Sequence, residues 1–540
     1  MVRTNSIPGA AKPAIVRTIA ALAAGTVLAG ACTPASQPVA DTSHTLTVLA
    51  GSELKDLGPI LPDLQKATGY SLAFKYTGSL DGAQAIVDGS DRSDMAWFSS
   101  GNYLTLLQGK AGKSVQQQPI MLSPVVIGVK HSVAQNLGWT GIGSAKVTWA
   151  DIANAAKAGT FRFAMTNPAA SNSGFVALVG VASAFAGSGS ALDSGSINVA
   201  RLKDFFSGQV LTAGSSGFLA DSYVRQQDTI DGMINYESVL LSLNAGGKLH
   251  QPLDLVYPRD GIITANYPLM LLNTAKRDAY DKVVAYLRTP DVQKKIMADT
   301  ARRPSIPDVQ PDSRFTSQLL IELPFPSNLN VIDSLLFAYL DQIRPPAHTY
   351  FVLDTSGSME GDRLNAVKKT FDNLTGADQT ITGRFARLRA REQITIIPFN
   401  RTVADDRTFT INDVSTHSPD LAEVRSYVNS LSAGDSTAIY DALIRAYRDA
   451  ASAKASDPDR FYSVVLMTDG ENNAGSDANG FKRFYNSQPA TARAIPTFAI
   501  IFGEASPQAL TDVANLTGGQ VFDSRNVSLP SVFKVIRGYQ

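Results

Sequence analysis

Three segments of the chain carry oxygen ligands at spacings that suit a divalent cation. Asp354, Ser356 and Ser358 form an Asp-x-Ser-x-Ser loop directly after an apolar run, Thr437 precedes a helix-like segment, and Asp469 ends a second apolar run. Carboxylate and hydroxyl oxygens are hard ligands, which favour Mg²⁺ or Mn²⁺ over softer metals. Ser, Thr and Asp also serve as helix N-caps, so a capped sheet domain without a metal is the alternative.

The elements that must position these ligands alternate between strands and helices. The apolar runs 393–399, 464–468 and 495–502 predict buried strands, and the segments between them carry apolar residues at helical spacing. This alternation predicts a doubly wound parallel sheet covered by helices on both faces. Ligands in such sheets bind at the carboxyl ends of the strands, where all five candidates are expected.

Together the five residues resemble the metal-ion-dependent adhesion site of a von Willebrand factor type A domain, in the order that the family shows. The resemblance covers 348–540 and implies an α/β fold with a bound Mg²⁺ or Mn²⁺. It also implies a protein partner, whose acidic side chain completes the coordination of the ion. Such a site binds a partner and aims no base at water.

A different pattern fills the first half of the chain, where successive predicted strands end in serine loops. Its layout resembles a bacterial extracytoplasmic solute-binding protein of the two-lobed type II kind, over about Thr45 to Pro307, and we place this domain at 45–310. The resemblance implies a ligand between the lobes. Our candidate cleft residues are Ser52, Ser79, Ser99, Ser173, Tyr236 and Glu237.

Helix starts in such a cleft supply free N–H groups, which favour an oxyanion or carboxylate as the small-molecule ligand. Plain capping and turn formation is the alternative role for the same residues. Glu237 would repel an anion unless it is paired or protonated, so the identity of the ligand stays open.

The region 311–347 is predicted to link the two domains. An apolar stripe from Val331 to Ile343 indicates a helix between two proline-rich stops. Because few basic residues flank the stripe, we expect it to pack on one or both domains rather than on a membrane surface.

The N-terminus has the layout of an export signal over 1–31. Arg3, Lys12 and Arg17 precede an apolar stretch that is too short for an ordinary membrane span. Residues 28–32 resemble a bacterial lipobox that ends at Cys32, the one cysteine of the chain, although Ala29 stands where Leu is usual. We therefore expect lipid on Cys32, a tether over 32–44 and a position on the outer face of the cytoplasmic membrane. Cleavage at an ordinary signal-peptidase site, giving a secreted protein, is the alternative.

Composition argues against two broad classes of function. The 48 basic and 48 acidic residues balance, without long runs of either sign, which argues against nucleic acid as a partner. The 5 histidines lie far apart and the chain has no phosphate-binding Gly-rich motif, so we expect no enzyme. The sequence predicts an exported binding protein with metal-dependent protein binding; the receptor of an ABC-type solute importer is the alternative. A third hypothesis is that the linker helix couples the two domains.

Overall fold

The structure is a computed structural model that describes residues 44–110, 116–187, 189–415, 417–503, 506–525 and 529–539. The predicted export signal, Cys32 and all but the last residue of the tether lie outside these ranges. Within them, no helix is long and apolar enough to cross a membrane.

The N-terminal region, up to residue 304, contains short strands that alternate with helices. Its strands are β1 (Thr45–Ala50), β2 (Ser71–Tyr76), β3 (Met95–Trp97), β4 (Gln117–Pro119), β5 (Met121–Lys130), β6 (Phe163–Thr166), β7 (Gln209–Ala213), β8 (Gly232–Tyr236), β9 (Leu253–Val256), β10 (Thr264–Ala265), β11 (Pro268–Leu271) and β12 (Arg303–Pro304). Its α-helices are α1 (Leu61–Thr68), α2 (Ser79–Asp88), α3 (Asn102–Lys110), α4 (His131–Leu137), α5 (Trp149–Lys157), α6 (Asn172–Ala186), α7 (Val199–Phe206), α8 (Ser216–Gln226), α9 (Glu237–Ala245), α10 (Arg277–Leu287) and α11 (Pro290–Thr300). Short 3₁₀ helices cover Ser52–Ile60, Gly141–Lys146, Ser194–Ser196 and Thr274–Lys276.

Two sheets divide this region into two lobes. The first lobe has the strand order β2-β1-β3-β11-β4, with β1 parallel to β2 and β3. The second has the order β10-β5-β8-β6-β7, with β9 and β12 also paired to β5 and with β7 at one edge. The carboxyl ends of β3 and β8 meet between the lobes, because Ser99 after β3 bonds Tyr236 at the end of β8. This meeting point is the inter-lobe cleft.

A connecting helix follows. Helix α12 (Leu329–Ala338) continues into a π-helical turn over Tyr339–Ile343. The apolar stripe of this helix is buried against both regions. Phe325, which precedes the helix, packs on Phe175 of the N-terminal region with ring centroids 5.7 Å apart. Phe337 packs at 5.3 Å on Phe385 of the C-terminal region. The stripe thus lies on α12 and the turn after it, and this segment contacts both neighbours.

The C-terminal region repeats the alternation of strands and helices. Its elements are β13 (Ala347–Asp354), α13 (Asp362–Asp372), α14 (Ile381–Ala386), β14 (Gln393–Phe399), β15 (Arg407–Thr410), α15 (Pro419–Ser430), α16 (Ile439–Ser456), β16 (Phe461–Thr468), α17 (Ala478–Ser487), α18 (Ala490–Arg493), β17 (Thr497–Ile501), α19 (Pro507–Thr517), β18 (Gln520–Asp523) and α20 (Leu529–Arg537). A 3₁₀ turn covers Gly357–Met359, and a π-helical turn covers Asn373–Ala377.

These strands form one sheet in the order β15-β14-β13-β16-β17-β18. Five neighbouring strands are parallel to one another, in the order β14, β13, β16, β17 and β18. Strand β15 runs antiparallel to β14 at the edge of the sheet. All residues of β13 and β17 are buried, as expected for strands covered on both faces by helices. The carboxyl ends of β13 and β16 lie side by side, because Leu353 is paired with Met467.

The two regions are in contact through apolar packing. Leu219 and Tyr223 of α8 belong to the same buried cluster as Phe498 and Tyr539 of the C-terminal region. Phe218 also meets Tyr539 edge to face, with ring centroids 4.7 Å apart.

Candidate functional site

The Asp-x-Ser-x-Ser loop is held in place at the end of β13 by main-chain bonds to its neighbours. Thr355 donates from N and from Oγ1 to the carbonyl of Phe399 at the end of β14, at 2.7 and 2.9 Å. Gly357 N donates to the carbonyl of Asp435 at 2.9 Å, and Gly434 N donates to that of Thr355 at 2.9 Å. The first loop and the loop that carries Thr437 are therefore fixed against each other.

Four of the five predicted metal ligands form a hydrogen-bonded group. Ser356 Oγ lies 3.1 Å from Ser358 Oγ, and Ser358 Oγ donates to Asp469 Oδ1 at 2.7 Å. Ser356 N donates to Asp354 Oδ1 at 2.8 Å. The fifth residue, Thr437, lies beside this group, because Thr437 Oγ1 and Ser358 Oγ both face Gly470. A methyl group added to Gly470 would lie 3.5 Å from Thr437 Oγ1 and 3.7 Å from Ser358 Oγ.

This group, which we call the hydroxyl–carboxylate site, is buried on all sides but one. Asp354, Ser356, Thr437 and Asp469 are each at most 3% exposed, whereas Ser358 is exposed. The site therefore opens to solvent beside Ser358, where an outside ligand has access.

Asp354 and Asp469 are buried, so a nearby positive charge would stabilise their ionised carboxylates. Burial raises the pKa of the Asp354 carboxyl above its usual value, hydrogen bonds from Thr468 and Ser356 oppose the rise, and the charge of Asp469 adds to it. Asp469 is fully buried and receives a hydrogen bond from Arg363 Nη1, which also donates to the carbonyl of Ser358 at 3.2 Å.

The donor set fits a hard divalent cation. Among the described residues, no group of three or more His, Cys, Asp or Glu side chains is placed to hold a metal, so an ion at this site would depend on hydroxyls. Neutral hydroxyls and two carboxylates suit Mg²⁺ or Mn²⁺ and leave a coordination position for an outside oxygen ligand.

Three residues of the site were not anticipated. Thr468 Oγ1 donates to Asp354 Oδ2 at 2.5 Å, and Asn473 Oδ1 accepts from Thr437 N at 2.7 Å. Thr468 stands next to Asp469 and Asn473 four residues after it, so their place in the sequence was a usable signal. Arg363 stands five residues after Ser358, but its bond to Asp469 spans 106 residues and could not be read from the sequence.

The inter-lobe cleft brings some of the predicted solute ligands together. Tyr236 Oη donates to Ser99 Oγ at 2.8 Å across the lobes, and Asn172 Nδ2 donates to Tyr236 Oη at 3.0 Å. Ser52 begins a 3₁₀ helix and Ser79 begins α2. Among the described residues, neither serine forms a hydrogen bond with this group.

The remaining two candidates are engaged within the second lobe. Ser173 Oγ lies 2.8 Å from both Thr166 Oγ1 and Ser216 Oγ. Glu237 is fully buried and accepts two hydrogen bonds from Arg303 at 2.7 Å, and one from Tyr257 Oη at 2.6 Å. Its charge is thus paired, which removes the repulsion that an anionic ligand would otherwise meet.

An unanticipated carboxyl also lies in the cleft. Burial raises the pKa of Glu53, while Arg302 and a hydrogen bond with Ser99 oppose that rise. Arg302 is itself buried and pairs with Asp56 at 2.6 Å. The floor of the cleft therefore holds charges of both signs.

Comparison with known proteins assigns both regions. Residues 46–299 match the family model described as bacterial extracellular solute-binding protein, and residues 349–535 match that of the von Willebrand factor type A domain. The chain joins a solute-binding domain to a von Willebrand factor type A domain. The predicted fold class is thereby confirmed for both domains. Von Willebrand factor type A domains typically bind a divalent metal ion.

Curated relatives match over a short stretch. The chain is 29% identical over 137 residues to inter-alpha-trypsin inhibitor heavy chain H2 of Sus scrofa, and 29% identical over 143 residues to that of Homo sapiens. These stretches are 24% and 25% of this chain, and the chain spans 13% of the length of either relative.

Two solved structures are similar to parts of the chain. The periplasmic binding protein AfuA from Actinobacillus pleuropneumoniae, with exogenous fructose-6-phosphate bound, is 12% identical, with a TM-score of 0.45 over 55% of this chain and 98% of that one. A von Willebrand factor type A protein from Catenulispora acidiphila is 17% identical, with a TM-score of 0.29 over 36% of this chain and 42% of that one.

Proposed function

We propose that this chain is an exported binding protein that engages a protein partner through a divalent cation, Mg²⁺ or Mn²⁺. Asp354, Ser356, Ser358, Thr437 and Asp469 are the residues that would hold the ion. The ion would supply a Lewis-acidic centre for an acidic side chain of the partner. The observation that carries the proposal is the hydrogen-bonded hydroxyl–carboxylate site, buried apart from its opening beside Ser358.

The solute-binding domain, which we place at 45–310, has a separate role in this proposal. It would take a small oxyanion or carboxylate in the inter-lobe cleft, near Ser99, Ser173 and Tyr236. The pairing of Glu237 with Arg303 supports an anionic ligand. A screen of oxyanions and carboxylates in which no compound raises the melting temperature would contradict this part, because a ligand of the folded state must stabilise it.

The chain would act outside the cytoplasm. We place the export signal at 1–31, a lipid on Cys32, a tether over 32–44, a linker over 311–347 and the second domain over 348–540. The extracellular character of the solute-binding family supports export. Labelling of cells with a radioactive fatty acid tests the anchor, since Cys32→Ser must abolish incorporation.

The test of the metal site is isothermal titration of Mg²⁺ and Mn²⁺ into the purified chain. We expect saturable binding that Asp354→Ala abolishes, because it removes one of the two carboxylates. A metal at one hundred times its dissociation constant should stabilise the folded state by about 2.7 kcal/mol.

Asp512→Ala is the matched control, since Asp512 is an exposed carboxylate of α19 in the same domain. It should bind metal as the wild-type chain does. Binding of equal strength in Asp354→Ala would refute the assignment of the site.

A further inference from the structure

A cavity of about 810 Å³ lies between the two domains. We call it the interdomain cavity. Residues of β7 and α8 line it on the side of the solute-binding domain, and the first residues of β16 line it on the other side. Small-molecule sites typically measure about 300 to 1,000 Å³ and often lie at domain interfaces. The interdomain cavity has both features and is separate from the inter-lobe cleft and the hydroxyl–carboxylate site.

The wall of the interdomain cavity is basic. Of the described residues that line it, one is acidic, Asp459, whereas the basic ones are Arg162, Lys203, Arg344, Arg391, Lys454 and Arg460. Part of this charge is compensated, because Arg460 pairs with Asp457 at 2.6 Å and Arg344 pairs with Glu392. The remainder favours an anion as the occupant.

Lys454 is a half-buried cation of this wall. It lies in the last turn of α16, and its Nζ is 5.6 Å from the ring centroid of Tyr462. Burial lowers its pKa, and no ion pair with a described carboxylate is formed. Arg391 likewise donates hydrogen bonds to the main-chain carbonyls of Asp341 and Arg344 rather than to a carboxylate. A half-buried cation without a counter-ion costs free energy, which a bound anion would recover.

Two further polar atoms of lining residues lack partners. Thr212 Oγ1 and Arg344 Nη1 are buried, and neither has a hydrogen-bond partner among the described residues. Arg344 is among the most deeply buried side chains of the chain. Because buried polar groups are nearly always hydrogen-bonded, these two unpaired atoms mark polar groups of lining residues whose hydrogen bonding is incomplete.

Apolar side chains form another part of the wall. Val210 of the edge strand β7 is 40% exposed and lines the cavity together with Phe218, Phe461 and Phe498. Exposed apolar surface and uncompensated cations around one cavity favour a ligand with a charged group and an apolar group.

We propose that the interdomain cavity binds a small organic anion that carries an apolar group, with Lys454 as its counter-ion. This ligand is distinct from the solute of the inter-lobe cleft, and its binding does not require the divalent cation. Because it would touch both domains, it would also stabilise their contact.

The experiment is isothermal titration of 1-naphthyl phosphate into the full chain in the presence of EDTA. Inorganic phosphate and 1-naphthol serve as the anion-only and apolar-only probes. We expect 1-naphthyl phosphate to bind at least tenfold more tightly than either. Lys454→Met, which keeps the apolar stem but removes the charge, should weaken binding about tenfold, as loss of one charge-assisted contact does.

Two more variants keep the test decisive. Val210→Asp places a negative charge at an exposed position of the apolar wall and should weaken binding by a similar factor. Lys482→Met removes an exposed lysine of α17 and should leave it unchanged. Absence of binding at 1 mM, or equal binding by wild type, Lys454→Met and Val210→Asp, would overturn the proposal. Because EDTA is present, neither result bears on the metal site.

Discussion

Arg363 holds its positive charge next to Asp469, the carboxylate that a divalent cation would also need. Its guanidinium bonds Asp469 Oδ2 and the carbonyl of Ser358, so it compensates charge at the hydroxyl–carboxylate site before any ion binds. The side chain is 36% exposed and so has room to swing away. Arg363 would therefore compete with a divalent cation for Asp469.

Arg363→Gln should bind Mg²⁺ more tightly than the wild-type chain. Removal of one neighbouring positive charge should lower the dissociation constant by about five- to tenfold, or roughly 1 to 1.4 kcal/mol. Isothermal titration measures the change. Arg483→Gln, which alters an exposed arginine of α17, is the control and should have no effect. Weaker binding in Arg363→Gln would show that Arg363 supports the site rather than competing for it.

His348 gives the C-terminal domain a pH dependence. It is 5% exposed on β13, its Nε2 lies 2.9 Å from Thr395 Oγ1, and its Nδ1 has no partner among the described residues. Burial lowers the pKa of His348 to about 4, and the positive charge of Arg460 adds to that effect. The unfolded chain, with the ordinary histidine value of about 6.5, therefore binds the proton more readily.

Stability should fall as the pH is lowered from about 6.5 towards 4, because the unfolded state takes up the proton first. The difference between the two pKa values corresponds to a loss on the order of 3 kcal/mol, which develops between about pH 6.5 and 4 and is largely absent at neutral pH. Urea unfolding at pH 7 and pH 4.5 should show a smaller difference in His348→Gln than in wild type. His250→Gln, at an exposed site, should behave as wild type. Identical pH dependence in all three proteins would contradict the assignment.

At the scale of elements, the spacing of apolar residues predicted those strands and helices that the local sequence determines. The apolar runs became buried strands such as β13 and β16, and the stripe from Val331 to Ile343 became α12 with its π-helical turn. The register of the sheet explains why the loop ligands meet, since β13 and β16 are adjacent and end together. Order along the chain and strand ends were sufficient to predict that part of the site.

Contacts between distant elements could not be predicted in the same way. Tyr236 and Ser99 are 137 residues apart, and the pairing of Glu237 with Arg303 spans 66 residues. Each depends on how two lobes or two strands meet, which hydrophobic spacing does not encode. The apolar stripe of α12 likewise indicated that the helix is packed, but its contacts with Phe175 and Phe385 required the folded chain.

At the scale of the whole molecule, the two domains share a buried junction. Glu392, just before β14, accepts hydrogen bonds from Arg344 at the end of the linker and from Arg537 of α20. Arg537 in turn offers its carbonyl to Asn167 of the solute-binding domain at 3.4 Å. Gly538 lies against Ala170 and Gly214, which follow β6 and β7. The von Willebrand factor type A domain is thus docked on loops of the second lobe.

This docking should make the two domains unfold together. Phe218 of α8 contributes the edge-to-face contact with Tyr539, and the neighbouring Arg225 donates to the carbonyl of Gly518 at 3.3 Å. Phe218→Ala removes the ring and should weaken the interface by about 1 to 3 kcal/mol. Differential scanning calorimetry should show one transition for wild type and two for the variant, since domains with a weakened interface melt independently.

Phe484→Ala is the matched control for this experiment. Phe484 is half-buried on α17 and lies within the von Willebrand factor type A domain, where Arg448 packs over its ring at 5.9 Å. Its loss should lower the melting temperature without splitting the transition, because the interface is untouched. If Phe218→Ala also keeps one transition at the wild-type midpoint, the ring contact contributes nothing to the coupling. Two transitions would instead show that this interface couples the unfolding of the two domains, which is a precondition for energetic coupling between their sites.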